Sequence, residues 1–191
     1  MILLRHCQSQ FNLHYSRTGR DPGIVDPSLT EEGLRQAERA AARICAEGAP
    51  PIRRLLVSPF RRTLQTAAPI AARLGLRAQI VPMARERFAF SCDVGSPPAL
   101  LAQDWPALDF SALPERWWYV DGRDDAAVGM LESEDSVSRR AQSFVDWILD
   151  QGGHGHTLLV SHWGFLLALC GRSLENGEAV SFDPTRDRSG F

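Results

Sequence analysis

The chain has 191 residues and a formal net charge of -2, so it presents no basic field of the kind that holds nucleic acid. Apolar residues make up 44% and charged residues 23%, the balance of an ordinary globular chain long enough for one good core and short for two. The apolar run at residues 1–4 is cut off by Arg5 and His6 too soon for a signal peptide, and the apolar stretch at 163–170 is far below membrane-spanning length, so a cytoplasmic protein is expected.

Residues 1–4 form a short continuous apolar run, the pattern of a strand buried on both faces. The Gly, Pro and Asp residues of 19–27 read as a loop. Thr30 is a good N-cap; Gly33 denies it a capping box, while Glu31 and Glu32 place negative charge where a helix dipole favours it. The Ala-, Arg-, Gln- and Glu-rich stretch 34–46 predicts a helix, stopped by Gly48, Pro50 and Pro51. Residues 54–57 predict a second buried strand. Ser58 and Pro59 then predict a helix start, with Ser58 as N-cap and Pro59 in the first helical position, running to about Leu74 and Gly75.

A third strand is expected at 78–81. The segment 88–129 is rich in Pro, Trp and Asp without a clean period and reads as a long, partly helical excursion able to roof a site. Helical spacing returns at 134–149, with Val137, Ala141, Phe144, Val145 and Ile148 on one stripe. A fourth strand at 157–160, a buried helix at 165–169 and a short last strand at 179–182 complete the pattern. Alternating strands and helices argue for a single α/β domain over residues 1–191, with a mainly parallel sheet covered on both faces.

Sites in open α/β sheets form beyond the carboxyl ends of the strands. The first strand ends in Arg5 and His6, with Asn12 just beyond; the second ends in Ser58 with Arg61 and Arg62 after it; the fourth ends in Ser161 and His162. Two histidines and two arginines converging from neighbouring strand ends suit a phosphate dianion, because phosphoryl transfer needs fixed positive charge around the equatorial oxygens. Arginine adds a planar fork matched to those oxygens. His6 serves as nucleophile if its attacking nitrogen is unprotonated: nearby arginines lower its pKa, and a backbone carbonyl can fix its tautomer. His162 fits a second, hydrogen-bond-donating ligand of the phosphate.

The run from Leu4 through Arg5, His6, Cys7, Gln8 and Ser9 to Asn12 resembles the Arg-His-Gly signature of the histidine phosphatase (phosphoglycerate mutase-like) superfamily. Blocks at 29–37 (Leu29, Thr30, Gly33, Gln36), 58–67 (Ser58, Arg62, Gln65, Thr66) and 160–164 (Ser161, His162, Gly164) agree with it in the family's order. The resemblance implies a three-layer α/β/α sandwich, a phosphohistidine intermediate on His6, and Arg5, Asn12, Arg62 and His162 as phosphate ligands. It also implies an acidic proton donor after the third strand, and Glu86 stands at the matching place, with Asp93 and Glu132 in reserve. Cys7 departs from the family's usual glycine, a residue that lets backbone approach a phosphate or take a positive φ.

The expected activity is that of a metal-independent phosphomonoesterase on a small phosphorylated metabolite, without a cofactor. A phosphoglycerate mutase is the alternative enzyme, and a catalytically weakened binding protein the alternative from another class. The excursion holds only Arg116 and Arg123 as cations, which favours the phosphatase. The expected partner is the small phosphorylated substrate, with neither nucleic acid nor membrane; a homodimer is compatible with the sequence. Cys7, Cys45, Cys92 and Cys170 have no paired spacing and imply neither a disulfide framework nor a zinc site. Cationic neighbours suggest an oxidisable Cys7, while His154 and His156 read as surface residues of a Gly-rich turn. Phe88, Phe90, Trp105, Trp117 and Trp118 fit an apolar lid or core packing equally well.

Overall fold

The computed structural model describes residues 1–119 and 131–187. In chain order the elements are β1 (Ile2–Arg5), α1 (Gln10–Thr18), α2 (Glu31–Ile44), β2 (Arg54–Val57), α3 (Arg61–Leu74), β3 (Gln79–Ile80), α4 (Pro98–Asp104), α5 (Glu134–Gln151), β4 (Thr157–Ser161), α6 (Trp163–Cys170) and β5 (Ala179–Ser181). The strands form one sheet in the order β3-β2-β4-β1-β5, parallel except for the antiparallel β5 at its edge.

Strand residues point alternately to the two faces of a sheet, and here both faces are apolar. Leu4, Leu55, Val57, Leu158 and Val160 pack with Ala40, Ala41, Leu64, Ala67 and Ile70 of α2 and α3. Leu3, Leu56 and Leu159 pack on the other side with Val137, Ala141, Phe144, Val145 and Ile148 of α5 and Phe165, Leu166 and Leu169 of α6. The register of Leu3 on Leu159 and of Leu56 on Leu159 keeps each face in one row. A β5 edge strand of three residues leaves little backbone free to pair elsewhere.

One element was not read from the sequence and one boundary is corrected. At Gln10–Thr18, Ser9 and Asn12 form a reciprocal capping box that starts α1, and Gly19 ends it in the left-handed conformation. Helix α3 begins at Arg61 rather than at Ser58 and Pro59. The Ser58 hydroxyl is taken by His162 Nε2 at 2.8 Å, so it is not free to cap; the Arg61 N–H donates instead to Asp26 Oδ1 at 2.9 Å. The helix is thus capped in trans by a loop carboxylate that no local pattern announces.

In the excursion, Trp117 is core, edge-on to Phe60 at 4.6 Å with its indole N–H donating to the Ser96 carbonyl at 2.8 Å. The excursion's residues 120–129, Arg123 among them, lie outside the described residues. Among the described residues, no helix is long and apolar enough to cross a membrane.

Candidate active site

Strand pairing brings the two histidines together. Arg5 of β1 lies beside Ser161 of β4, and the His6 N–H donates to the Ser161 carbonyl at 2.9 Å, so the residues that follow, His6 and His162, leave the sheet side by side. Their rings meet edge to face, with centroids 5.2 Å apart. β2 pairs with the other edge of β4, and Ser58 donates its N–H to Val160, which sets its hydroxyl against His162.

Each imidazole has one nitrogen engaged. His6 Nδ1 lies 2.8 Å from the Cys7 carbonyl; a carbonyl only accepts, so Nδ1 carries the proton and Nε2 keeps its lone pair. Burial, then Arg62, then Arg5 hold the His6 pKa well below the usual value, which keeps the ring neutral. Burial and Arg62 do the same to His162, whose Nδ1 is buried without a hydrogen-bond partner among the described residues.

The cations are fixed in place. Arg62 is buried with its guanidinium 4.3 Å above the Phe60 ring; Nη1 donates to the Cys92 carbonyl at 2.7 Å and Nη2 to Asp93 Oδ1 at 3.2 Å. Arg5 Nη1 donates to the Leu174 carbonyl at 2.6 Å, while its Nε is buried and unpartnered among the described residues. Asn12 accepts the Ser9 N–H, the Ser9 hydroxyl and an Asn176 amide hydrogen on Oδ1, which leaves its own amide nitrogen as the donor available to an anion.

Glu86 Oε1 accepts the Arg87 N–H at 2.8 Å and the Phe165 N–H, at the start of α6, at 3.1 Å. Burial, then the Asp93 charge, push its carboxyl above the ordinary range against the pull of Arg62. A Cβ on Gly164 would lie 2.7 Å from Glu86 Oε1, so only glycine lets this carboxylate approach α6 so closely. Asp93 is also buried and pushed up by burial, with Oδ2 accepting the Ala89 and Phe90 N–H groups at 3.0 Å each.

Of the residues expected at the site, Arg5, His6, Asn12, Arg62 and Glu86 line one cleft of about 420 Å³. His162 is wholly buried against His6 and stands off the cleft wall. Of the two reserve acids, Asp93 lines the cleft; Glu132 does not, being buried in a pair with Arg140 at 2.6 Å. Arg61 pairs with Asp104 at 2.5 Å outside the cleft. Sequence reading missed the Ser58 hydroxyl and the Arg62 contact with Asp93. The first was open to the logic applied to the histidines, since Ser58 also directly follows a strand end.

The profile of the histidine phosphatase superfamily, branch 1, matches residues 1–184. The chain belongs to that superfamily. A curated relative, a probable phosphoglycerate mutase GpmB of Cronobacter sakazakii, is 32% identical over 165 residues, covering 85% of this chain and 68% of its own. Among solved structures, a mycobacterial glucosyl-3-phosphoglycerate phosphatase complexed with VO3 aligns with a TM-score of 0.62 at 22% identity, over 94% of this chain and 88% of that one. A phosphoserine phosphatase of Entamoeba histolytica, complexed with 3-phosphoglyceric acid, aligns with a TM-score of 0.58 at 21% identity, over 93% and 87%.

Cys7 behaves differently from expectation in this superfamily member. It has no positive φ, and its side chain packs with Leu29 and Ala37 off the cleft wall. Burial pushes its thiol up to about 11, which outweighs the arginines expected to favour a thiolate.

Proposed function

We propose that this chain is a phosphomonoesterase that transfers a phosphoryl group from a small phosphorylated metabolite to His6 Nε2 and then to water. The observation that carries this reading is the neutral His6 ring, its Nδ1 proton given to the Cys7 carbonyl, opening with Arg5 and Arg62 onto one cleft. The Nε2 lone pair forms the N–P bond while the bond from phosphorus to the ester oxygen breaks. Arg5 Nε, Arg62 and the Asn12 amide stabilise the equatorial oxygens as charge spreads over them. Glu86, whose carboxyl is pushed above the ordinary range by burial and by the Asp93 charge, gives its proton to the departing oxygen. The Glu86 carboxylate then takes a proton from water as that water attacks phosphohistidine, the N–P bond returns its electrons to Nε2, and inorganic phosphate leaves.

His162 stands behind His6 and off the cleft wall, so in this reading it acts on the phosphoryl group only once that group sits on His6, donating through Nδ1–H, the tautomer that arises when the Ser58 hydroxyl donates to Nε2. Asp93 holds the Arg62 fork from the side away from its Cys92 bond, which orients Arg62 at the cost of part of its positive field.

A second reading, phosphoglycerate mutase, draws on the name of the curated relatives. That reaction requires the phosphoryl group to return to a bound phosphoglycerate and a cation to hold the carboxylate. Against it, Arg87, the third arginine of the cleft, is engaged with the Glu132 carbonyl at 2.9 Å and with Glu134 at 3.3 Å.

The test is hydrolysis of 4-nitrophenyl phosphate by wild type and His6→Ala with a chelator present, together with alkaline denaturing quench of a reaction with ³²P-labelled ester, which preserves the acid-labile phosphohistidine. Turnover that survives chelator and vanishes in the variant, with label on the wild type alone, is the expected result. Equal turnover by the variant overturns the assignment of His6; phosphoryl return to 3-phosphoglycerate faster than release to water overturns the hydrolase in favour of the mutase.

A further inference from the structure

The polar residues of the cleft account for only part of its lining. A volume of about 420 Å³ is that of a site for a whole small molecule, well beyond a phosphoryl group. Aromatic rings supply much of the rest of it. Tyr15, Phe90 and Trp163 line it at 38%, 37% and 42% exposure, and among the described residues they are the only exposed Phe, Tyr or Trp side chains. Solitary exposed apolar residues are ordinary, but three exposed aromatic rings lining one cleft are not explained by chance exposure.

The rings are also held in place. Phe11 and Tyr15, one helical turn apart on α1, stack at 5.4 Å, and Phe90 contacts both at 5.3 and 5.2 Å. Phe11 is buried and anchors the group. Trp163 opens α6 directly after His162, and its indole N–H donates to Ser173 Oγ at 2.9 Å. Tyr15 lies three residues beyond Asn12 on the same face of α1, so the helix that offers an amide to the phosphate also offers a ring to whatever the phosphate is attached to. Preset rings pay little ordering entropy when a ligand arrives.

The charges of the cleft decide what such a ligand is. Arg62 and Arg87 are paired with Asp93 and Glu134, Arg5 serves the phosphate in the proposed reaction, and Glu86 and Asp93 add carboxyl groups. Among the described residues, a leaving group that carried its own carboxylate would find no further arginine in the cleft. We infer that the alcohol esterified to the phosphate is uncharged and carries an aromatic ring that stacks among Tyr15, Phe90 and Trp163. The inference rests on the phosphomonoesterase reading for its chemistry but not for its binding site.

Aryl phosphates react faster simply because phenols leave easily, so the test uses alkyl esters of matched leaving-group acidity: 3-phenylpropyl phosphate against n-propyl phosphate. Burying a phenyl ring is expected to raise kcat/KM about ten- to a hundred-fold for the first ester. Trp163→Ala and Phe90→Ala are each expected to lower that ratio by about three- to tenfold, and Trp163→Phe to restore most of it. A ratio near one in the wild type, or a preference for 3-phosphoglycerate, overturns the inference. A phosphotyrosine peptide turned over better than 3-phenylpropyl phosphate also overturns it, in favour of a protein substrate. Calorimetric binding of benzylphosphonate against methylphosphonate reads the subsite without turnover. Tighter benzylphosphonate binding that Trp163→Ala abolishes, in a protein that hydrolyses no ester, would retain the aromatic subsite and discard the phosphatase; equal binding would discard the subsite.

Discussion

In the proposed reaction the neighbours His6 and His162 have opposite requirements: one must offer a lone pair, the other a proton. The Cys7 carbonyl dictates the first state, and the Ser58 hydroxyl permits the second. Ser58→Ala should therefore lower kcat/KM by about tenfold, the worth of one hydrogen bond to a buried group, with Ser58→Thr recovering part of it. Steady-state kinetics on one alkyl phosphate would check this; an unchanged Ser58→Ala would remove Ser58 from the positioning of His162. Glu86 makes a different demand, since a general acid matters most when the leaving oxygen is basic. Glu86→Gln should cost about a hundred-fold or more on an n-propyl ester and far less on 4-nitrophenyl phosphate. In the wild type, the basic limb of the kcat profile should lie above the ordinary carboxylate range, in line with the raised Glu86 pKa, and should disappear in Glu86→Gln. The comparison is made on kcat/KM, which ends at the phosphorylation step and so excludes the attack of water; an equal loss there on both esters would remove Glu86 as the acid for the leaving oxygen.

At the scale of elements, α5 shows how periodic sequence becomes packing. Its stripe Val137, Ala141, Phe144, Val145 and Ile148 is buried on the sheet face that Leu3, Leu56 and Leu159 present. Phe144 is fully buried and edge-on to Phe165 of α6 at 5.9 Å. Phe144→Ala should cost about 3–5 kcal/mol through lost transfer energy and a cavity, measured by chemical denaturation. A cost below about 1 kcal/mol would mean that the layer collapses to fill the space. This stripe was legible because a helix face repeats in the sequence with its own period. The start of α3 was not, because its cap is Asp26, a residue 35 positions away with a φ of 40°, and although its loop was legible, no local signal brings that loop to α3. Close approaches behave similarly. Gly33 has no conformational need for glycine, but a Cβ there would lie 2.0 Å from the Gln8 carbonyl oxygen, a demand visible only once α2 is set against the end of β1.

Across the whole molecule, the buried titratable groups link the site to stability. His6 and His162 have lowered pKa values when folded, so the unfolded chain binds more protons as pH falls below about 6.5, and their contribution to stability is lost toward acid. Glu86 and Asp93 have raised values, so the folded chain holds protons that the unfolded chain releases, and their contribution is lost as pH rises above the ordinary carboxylate range. The two effects oppose each other in the wild type. His162→Gln removes one histidine and should flatten the fall in stability between about pH 7 and pH 5 relative to wild type, as read from denaturation midpoints. Parallel curves for the two proteins would mean that His162 takes up its proton over the same pH range folded and unfolded. The histidine pair itself exists because β4 lies between β1 and β2 in the sheet, which sets three strand ends side by side.

By itself the sequence determined the α/β alternation, the places of all five strands to within two residues, the apolar stripes and the family. Each of these is encoded over a few consecutive residues, in hydrophobic period, turn chemistry or motif order, and needs no distant partner. Tertiary structure alone decided that Ser58 faces His162 rather than capping a helix, that Arg62 is shared with Asp93, that Cys7 turns away from the cleft, and that Tyr15, Phe90 and Trp163 line it together. Those contacts close between residues tens of positions apart. Their geometry is set by the packing of helices onto the two faces of one sheet, and no local pattern carries that information.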